Sequence, residues 1–173
     1  MAVTLIVETG AGVTGANTYI SLAGAETYFE SRLNASVWDG ETDDNKNRAL
    51  VQATRALDAN NRWKGTRVDP TVQALEWPRD NIYIDDDAWP SSSIPADVAN
   101  AAAELSLYLL SSDRTADNAS SGLKSLGVGS GAVELVFDNA TETDVLPETV
   151  MAMLWRWVTS SGSSNAQPKT RRV

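Results

Sequence analysis

Apolar residues along this chain recur mainly with the period of a helix, and they mark out four long segments. Ser21 supplies an N-cap before Leu22–Leu33, where Ala25, Tyr28, Phe29 and Arg32 fall at helical spacing. A second helix is predicted to start near Thr42 or Asp43, whose acidic first turn complements the helix dipole. Its stripe of Ala49, Leu50, Ala53, Ala56 and Leu57 runs to about Asn60. The clearest pattern spans Pro95 to about Ser111, with Val98, Ala101, Ala102, Leu105, Tyr108 and Leu109 on one face and Pro95 suited to the first helical position. A last helix starts at Pro147 and is predicted to bury Val150, Met151, Leu154, Trp157 and Val158.

Between these segments the period changes. Val3–Glu8 is β-branched and reads as a short strand, followed by a glycine-rich turn over Thr9–Gly15. Asn34–Asp39 reads as a loop anchored by Trp38, and Ser112–Gly122 as a polar loop. Leu123–Phe137 alternates apolar and polar residues around a Gly127–Gly131 turn, which predicts a β-hairpin. Asn61–Pro90, rich in Trp and Pro, reads as a long irregular connection, and such connections are often functional. No internal repeat is visible. The fold class expected is mainly α, a helical bundle with a small β-hairpin and extended N- and C-terminal arms. The domain division is a body over residues 1–158 and a basic tail over 159–173.

Length and composition fit that reading. A chain of 173 residues with 42% hydrophobic content and six Trp can bury a sizeable core. No run of about 18 apolar residues is present, so no membrane partner is expected, and the N-terminus does not read as a secretory signal. The absence of Cys removes disulfides, thiolate nucleophiles and zinc–cysteine sites. The absence of His removes the usual proton-transfer group near neutral pH. Enzymatic chemistry would have to rest on carboxylates, Lys, Tyr or a bound hard cation, and the chain is expected to be neither an enzyme nor a cofactor carrier.

Charge is uneven. The net charge is −9, yet Thr159–Val173 holds Lys169, Arg171 and Arg172 and no acid. Eleven of the 14 basic residues and all 23 acidic ones precede it, so the body stands at −12. Such a body repels phosphates, whose binding depends on Lys and Arg. The basic tail, with Gln167, Lys169, Arg171 and Arg172, suits an acidic protein surface instead.

Three motifs invite a chemical reading. Gly10-Ala11-Gly12-Val13-Thr14-Gly15 is a literal G-x-G-x-x-G, but the next helix begins only near Ser21, so a phosphate would not sit on its N–H groups; a turn or arm is preferred. Asp85, Asp86 and Asp87 carry oxygens suited to Mg²⁺ or Ca²⁺, though consecutive residues rarely converge on one ion, and a solvated acidic loop is preferred. Trp63, Trp77 and Trp89 interleave with Arg62, Lys64, Arg67 and Arg79 in the manner of a single-strand stacking platform. Asp69, Glu76 and Asp80 offset that charge, and a core or interface role is preferred.

The stretch RWKGTRVDPTVQALEWPR, Arg62–Arg79, resembles a motif of phage proteins labelled as a DnaT-like single-stranded-DNA-binding family. Arg62, Trp63, Gly65, Arg67, Gln73, Leu75, Trp77, Pro78 and Arg79 carry the match. Asn17, Tyr19, Ser21, Ala25, Tyr28 and Phe29 extend it towards the start, and Ile94-Pro95 before an Ala/Leu helix adds a third feature. Proteins of this type look like the head-to-tail adaptor of long-tailed phages. The resemblance implies a ring, usually twelvefold, beneath the portal protein, in contact with a tail-side stopper or tail terminator and with DNA passing through without specific binding. It also implies a location in the virion neck and a C-terminal segment placed against the portal. The alternative reading is a single-stranded-DNA-binding accessory protein of replication or packaging.

Overall fold

The computed structural model describes residues 3–112, 125–128, 133–136 and 146–159. Among them the chain is mainly helical, with three two-stranded antiparallel ladders. The predicted loop at 112–122 falls almost wholly outside the described residues, as does the tail beyond Thr159.

Ser21 caps α1 (Leu22–Glu30) by accepting the Gly24 N–H at 3.0 Å. Its predicted loop partner turns out to contain a single helical turn, α2 (Ser36–Asp39), which presents Trp38 to the core at 1% exposure. Thr42 caps α3 (Asp43–Asn60), with Asp43 and Asp44 in the first turn as the dipole favours. The third long helix, α4 (Ala96–Ser111), has Pro95 at its N-cap, one position before the place read from the sequence. The last, α5 (Glu148–Leu154), ends sooner than predicted, and Trp157 and Val158 are buried from the turn that follows it.

Helix α4 is the axis of the molecule. The sequence pattern assigned it one apolar face, yet residues 101–107 are buried without interruption, because α1, α2, α3 and α5 all pack on it. Three consecutive alanines, Ala101–Ala103, keep its girth small enough for such close neighbours. Tyr108 and Leu109, predicted inside, are only half-buried at its emerging end. Encirclement places Glu104 at 5% exposure, and a charge there demands a partner. Arg32, at the end of α1, supplies it through two hydrogen bonds, from Nε at 2.7 Å and Nη2 at 2.6 Å, while the Tyr28 hydroxyl donates a third at 3.0 Å. Burial beside Glu104 pushes the Tyr28 phenol up to about 12.

The N-terminal segment departs from its prediction. Val3–Glu8 is extended but is no strand: it makes a single parallel bridge, Val7 to Thr18, because no neighbouring strand offers a ladder. It also lies on its own body. Asp44 Oδ1 accepts the Val3 N–H at 3.1 Å, and Asn47 donates to the Val3 carbonyl at 3.3 Å.

The long connection 61–90 is mostly irregular, as read, with two short ladders. Strand β1 (Thr66–Arg67) pairs with β2 (Arg79–Asp80), and β3 (Tyr83–Ile84) pairs with β4 (Asp87–Ala88). The predicted late hairpin forms from β5 (Ser125–Val128) and β6 (Val133–Val136), in register Ser125 opposite Val136.

Trp77 is fully buried and touches Trp63 and Trp157 edge to face, with ring centroids 5.8 and 5.7 Å apart. Trp157 continues the chain of rings to Trp89 at 4.8 Å. Four indoles thereby join the irregular connection to the end of α5. Trp77→Ala is expected to lower unfolding free energy by about 3–5 kcal/mol in chemical denaturation; an unchanged midpoint and slope would contradict the burial described.

Candidate functional site

The motif Arg62–Arg79 is built as an internal clamp. Arg79 is 7% exposed, and its guanidinium donates to the Lys64 carbonyl (2.7 Å), the Gly65 carbonyl (2.9 Å), the Glu76 carbonyl (3.1 Å) and the Glu76 carboxylate (2.7 Å). One planar cation therefore staples the residues just before β1 to the segment before β2. Gly65 takes a positive φ of 68°, and a side chain there would collide with the Asp80 carbonyl and Ile82. Gln73, also buried, donates to the Leu75 carbonyl at 2.7 Å and accepts the Asp69 N–H at 3.3 Å. Pro78 is buried behind a cis Trp77–Pro78 peptide, and its carbonyl accepts the Val68 N–H. Arg67 reaches the Pro70 carbonyl at 3.0 Å.

Of the motif's match residues, only Arg62 presents an exposed charged side chain, since Arg67 is partly covered and Arg79 is buried. The Arg62 carbonyl accepts both the N–H (2.7 Å) and the hydroxyl (3.0 Å) of Thr159, and Trp63 bridges Val158. Gln167, Lys169, Arg171 and Arg172 lie outside the described residues.

Beneath the clamp sits a node that the sequence reading missed. The Tyr19 hydroxyl donates to Asp58 Oδ1 at 2.6 Å and accepts the Trp77 N–H at 3.2 Å, while Asp58 Oδ2 accepts the Glu76 N–H at 3.1 Å. N-terminal segment, α3 and motif thus meet at one carboxylate. Burial pushes Asp58 up to about 6, against the opposing pull of the Tyr19 and Glu76 hydrogen bonds. Burial, reinforced by the Asp58 charge, holds the Tyr19 phenol well above its usual range. A carboxylate one step past Leu57, on the flank of an apolar stripe, was the available signal.

The glycine-rich segment resolves in the same inward manner. Glu8, 2% exposed, accepts the N–H groups of Gly10 (2.9 Å), Gly12 (3.0 Å) and Val13 (2.7 Å). The loop is a turn, as preferred from the sequence, and its N–H groups form a nest whose anion is the chain's own carboxylate. Asp85 and Asp86 form the two-residue turn between β3 and β4, with φ of 52° and 71°, a conformation that Asp tolerates better than most residues. Among the described residues no group of three or more acids is placed to hold a metal ion, and no helix is long and apolar enough to cross a membrane.

Two surface features stand apart from this interior. A cleft of about 600 Å³ opens between α1 and α2 over Phe29 and Trp38, rings 4.5 Å apart, with Leu33 at its edge 84% exposed. At the end of α5, Trp155 is 65% exposed, and the Arg156 guanidinium lies 5.1 Å from the centre of its ring. Trp155 falls off the apolar stripe of α5, which is the sequence signal for its exposure.

The Asp58 node has a pH signature. Its folded-state pKa is raised, so the folded protein binds more protons than the unfolded chain between about pH 4 and 6. This group therefore subtracts stability as pH rises through that window, by up to about 1.4 kcal/mol per pH unit, and contributes no slope above it. Asp58→Asn should flatten that part of the stability–pH curve relative to the parent chain in thermal melts. Parallel curves for the two proteins between pH 4 and 6 would exclude Asp58 as its source.

A family model described as "Putative DnaT-like ssDNA binding protein" matches residues 3–173. No curated protein and no solved structure matches the chain. With nearly all of its length covered, body and motif alike, the chain belongs to this DnaT-like family.

Proposed function

We propose that this chain is a non-enzymatic structural adaptor in the neck of a long-tailed phage. Copies, about twelve of them by the resemblance described above, close into a ring by heterologous contacts, each presenting two different complementary surfaces. The ring sits beneath the portal protein, meets a stopper or tail terminator on the tail side, and lets DNA pass. Gln167, Lys169, Arg171 and Arg172 reach the portal or a neighbouring copy.

The observation that carries this reading is the inward use of the motif. Trp63, Trp77 and Arg79, which a single-strand platform would need at its surface, close the core instead. The body left outside is acidic, at −12 by sequence, and suits a channel past which phosphates slide without finding cation partners. The function then resides in surfaces between chains.

A second reading, single-stranded DNA binding, is favoured by the family's description and by the exposed Trp155–Arg156 pair. Mobility shifts with a single-stranded oligonucleotide separate the two. The adaptor reading predicts no retained shift near physiological salt; a shift that weakens steeply as salt rises would favour DNA binding.

Deleting Gln167–Val173 is expected to weaken attachment to portal-bearing capsids severalfold while leaving the thermal transition in place. Capsid attachment at the parent level would remove the tail from the interface. Purified virions should contain the chain in near-stoichiometric amount with the portal, measured by quantitative mass spectrometry; virions lacking it would contradict the adaptor reading.

A further inference from the structure

The α1–α2 cleft and the Trp155–Arg156 corner have no role inside the fold, and their chemistry is complementary. Three carboxylates and two cations line the cleft. Arg32 is taken by Glu104, and Lys46 lies 3.4 Å from Glu26 while stacking over Trp38. That leaves Glu30 and Asp39 with no ion pair among the described residues, beside the exposed apolar side chain of Leu33. The cleft therefore suits a ligand with an aromatic or aliphatic body and a cationic head.

The corner at the end of α5 has that composition. Trp155 projects an indole that the core does not cover, and Arg156 stacks on it as an exposed cation. Exposed Arg62 adds a second positive charge nearby, since its backbone is joined to Thr159. A large aromatic beside Arg is the kind of residue pair that anchors protein interfaces.

We infer that the Trp155–Arg156 corner of one copy seats in the α1–α2 cleft of the next, with Arg156 facing Glu30 and Asp39. The contact joins two different patches, so it repeats from copy to copy and builds a ring or a filament according to the rotation between copies. It deepens the adaptor reading by naming the copy-to-copy contact, and it rests on that reading only for closure of the ring. Because part of the attraction is between exposed charges, it weakens as ionic strength rises.

The test uses full-length chains in sedimentation velocity across a concentration series. The parent chain should self-associate, and Arg156→Glu, Trp155→Ser and the double variant Glu30→Arg/Asp39→Arg should each weaken association more than about tenfold. All these positions are exposed, and unchanged thermal transitions establish that the variants fold. An equimolar mixture of Trp155→Ser with Glu30→Arg/Asp39→Arg retains one intact corner and one intact cleft, and the remaining pairing sets Arg156 against two introduced arginines. It should form a heterodimer and nothing larger. A parent chain that stays monomeric, variants that associate like the parent, or a mixture that stays monomeric would each overturn the inference. So would binding of a single-stranded oligonucleotide that Arg156→Glu abolishes, which would assign the corner to nucleic acid. Self-association by this contact without portal binding would leave the inference standing and remove the adaptor reading. Portal binding by chains lacking the contact would do the reverse.

Discussion

The fold depends on one buried cation. Arg79 satisfies three carbonyls and a carboxylate at once, and in doing so ties together the two halves of the irregular stretch between α3 and α4. Without that clamp, Trp77 would lack a fixed backbone from which to enter the core, and the run of edge-to-face indoles would lose the ring that links Trp63 to Trp157. A long connection with little secondary structure is entropically costly to order. Here the cost is offset by concentrated aromatic burial and by hydrogen bonds from a rigid, multidentate donor.

The same logic recurs wherever the chain brings a charge inside. Glu8 organises the glycine-rich loop, Glu104 fastens α1 to α4 through Arg32, and Asp58 gathers three segments around Tyr19. Each buried ion is paired or hydrogen-bonded, as its desolvation requires. These groups are polar, yet their partners belong to the chain itself, so their role is architectural. What remains at the surface is acidic, with an exposed aromatic–cation corner and a cleft that complements it. That distribution favours a protein acting through contact with other chains over one acting on a small molecule.

Much of the fold was legible in the sequence because helices announce themselves through period and caps. Ser21 and Thr42 marked their helix starts, and the stripe from Ala49 to Leu57 gave the face of α3. The short α2 was missed because four residues carry no periodicity. Val3–Glu8 was read as a strand since β-branched composition reports local preference and cannot report a missing partner. The inward roles of Arg79, Glu8 and Asp58 depend on contacts between segments distant in sequence, which no local pattern encodes. The acids interleaved with the cations of the Trp-rich motif argued for a core or interface role without choosing between them, and contacts between distant segments are what bury Trp63 and Trp77.

On the proposed function, this chain works by assembling with copies of itself between head and tail. Cryo-electron microscopy of the neck in intact virions tests it most directly. Density is expected for a ring of these helical bodies below the portal, each with the end of α5 facing the α1–α2 cleft of its neighbour. A neck fully accounted for by other proteins, with no density matching this fold, would contradict it.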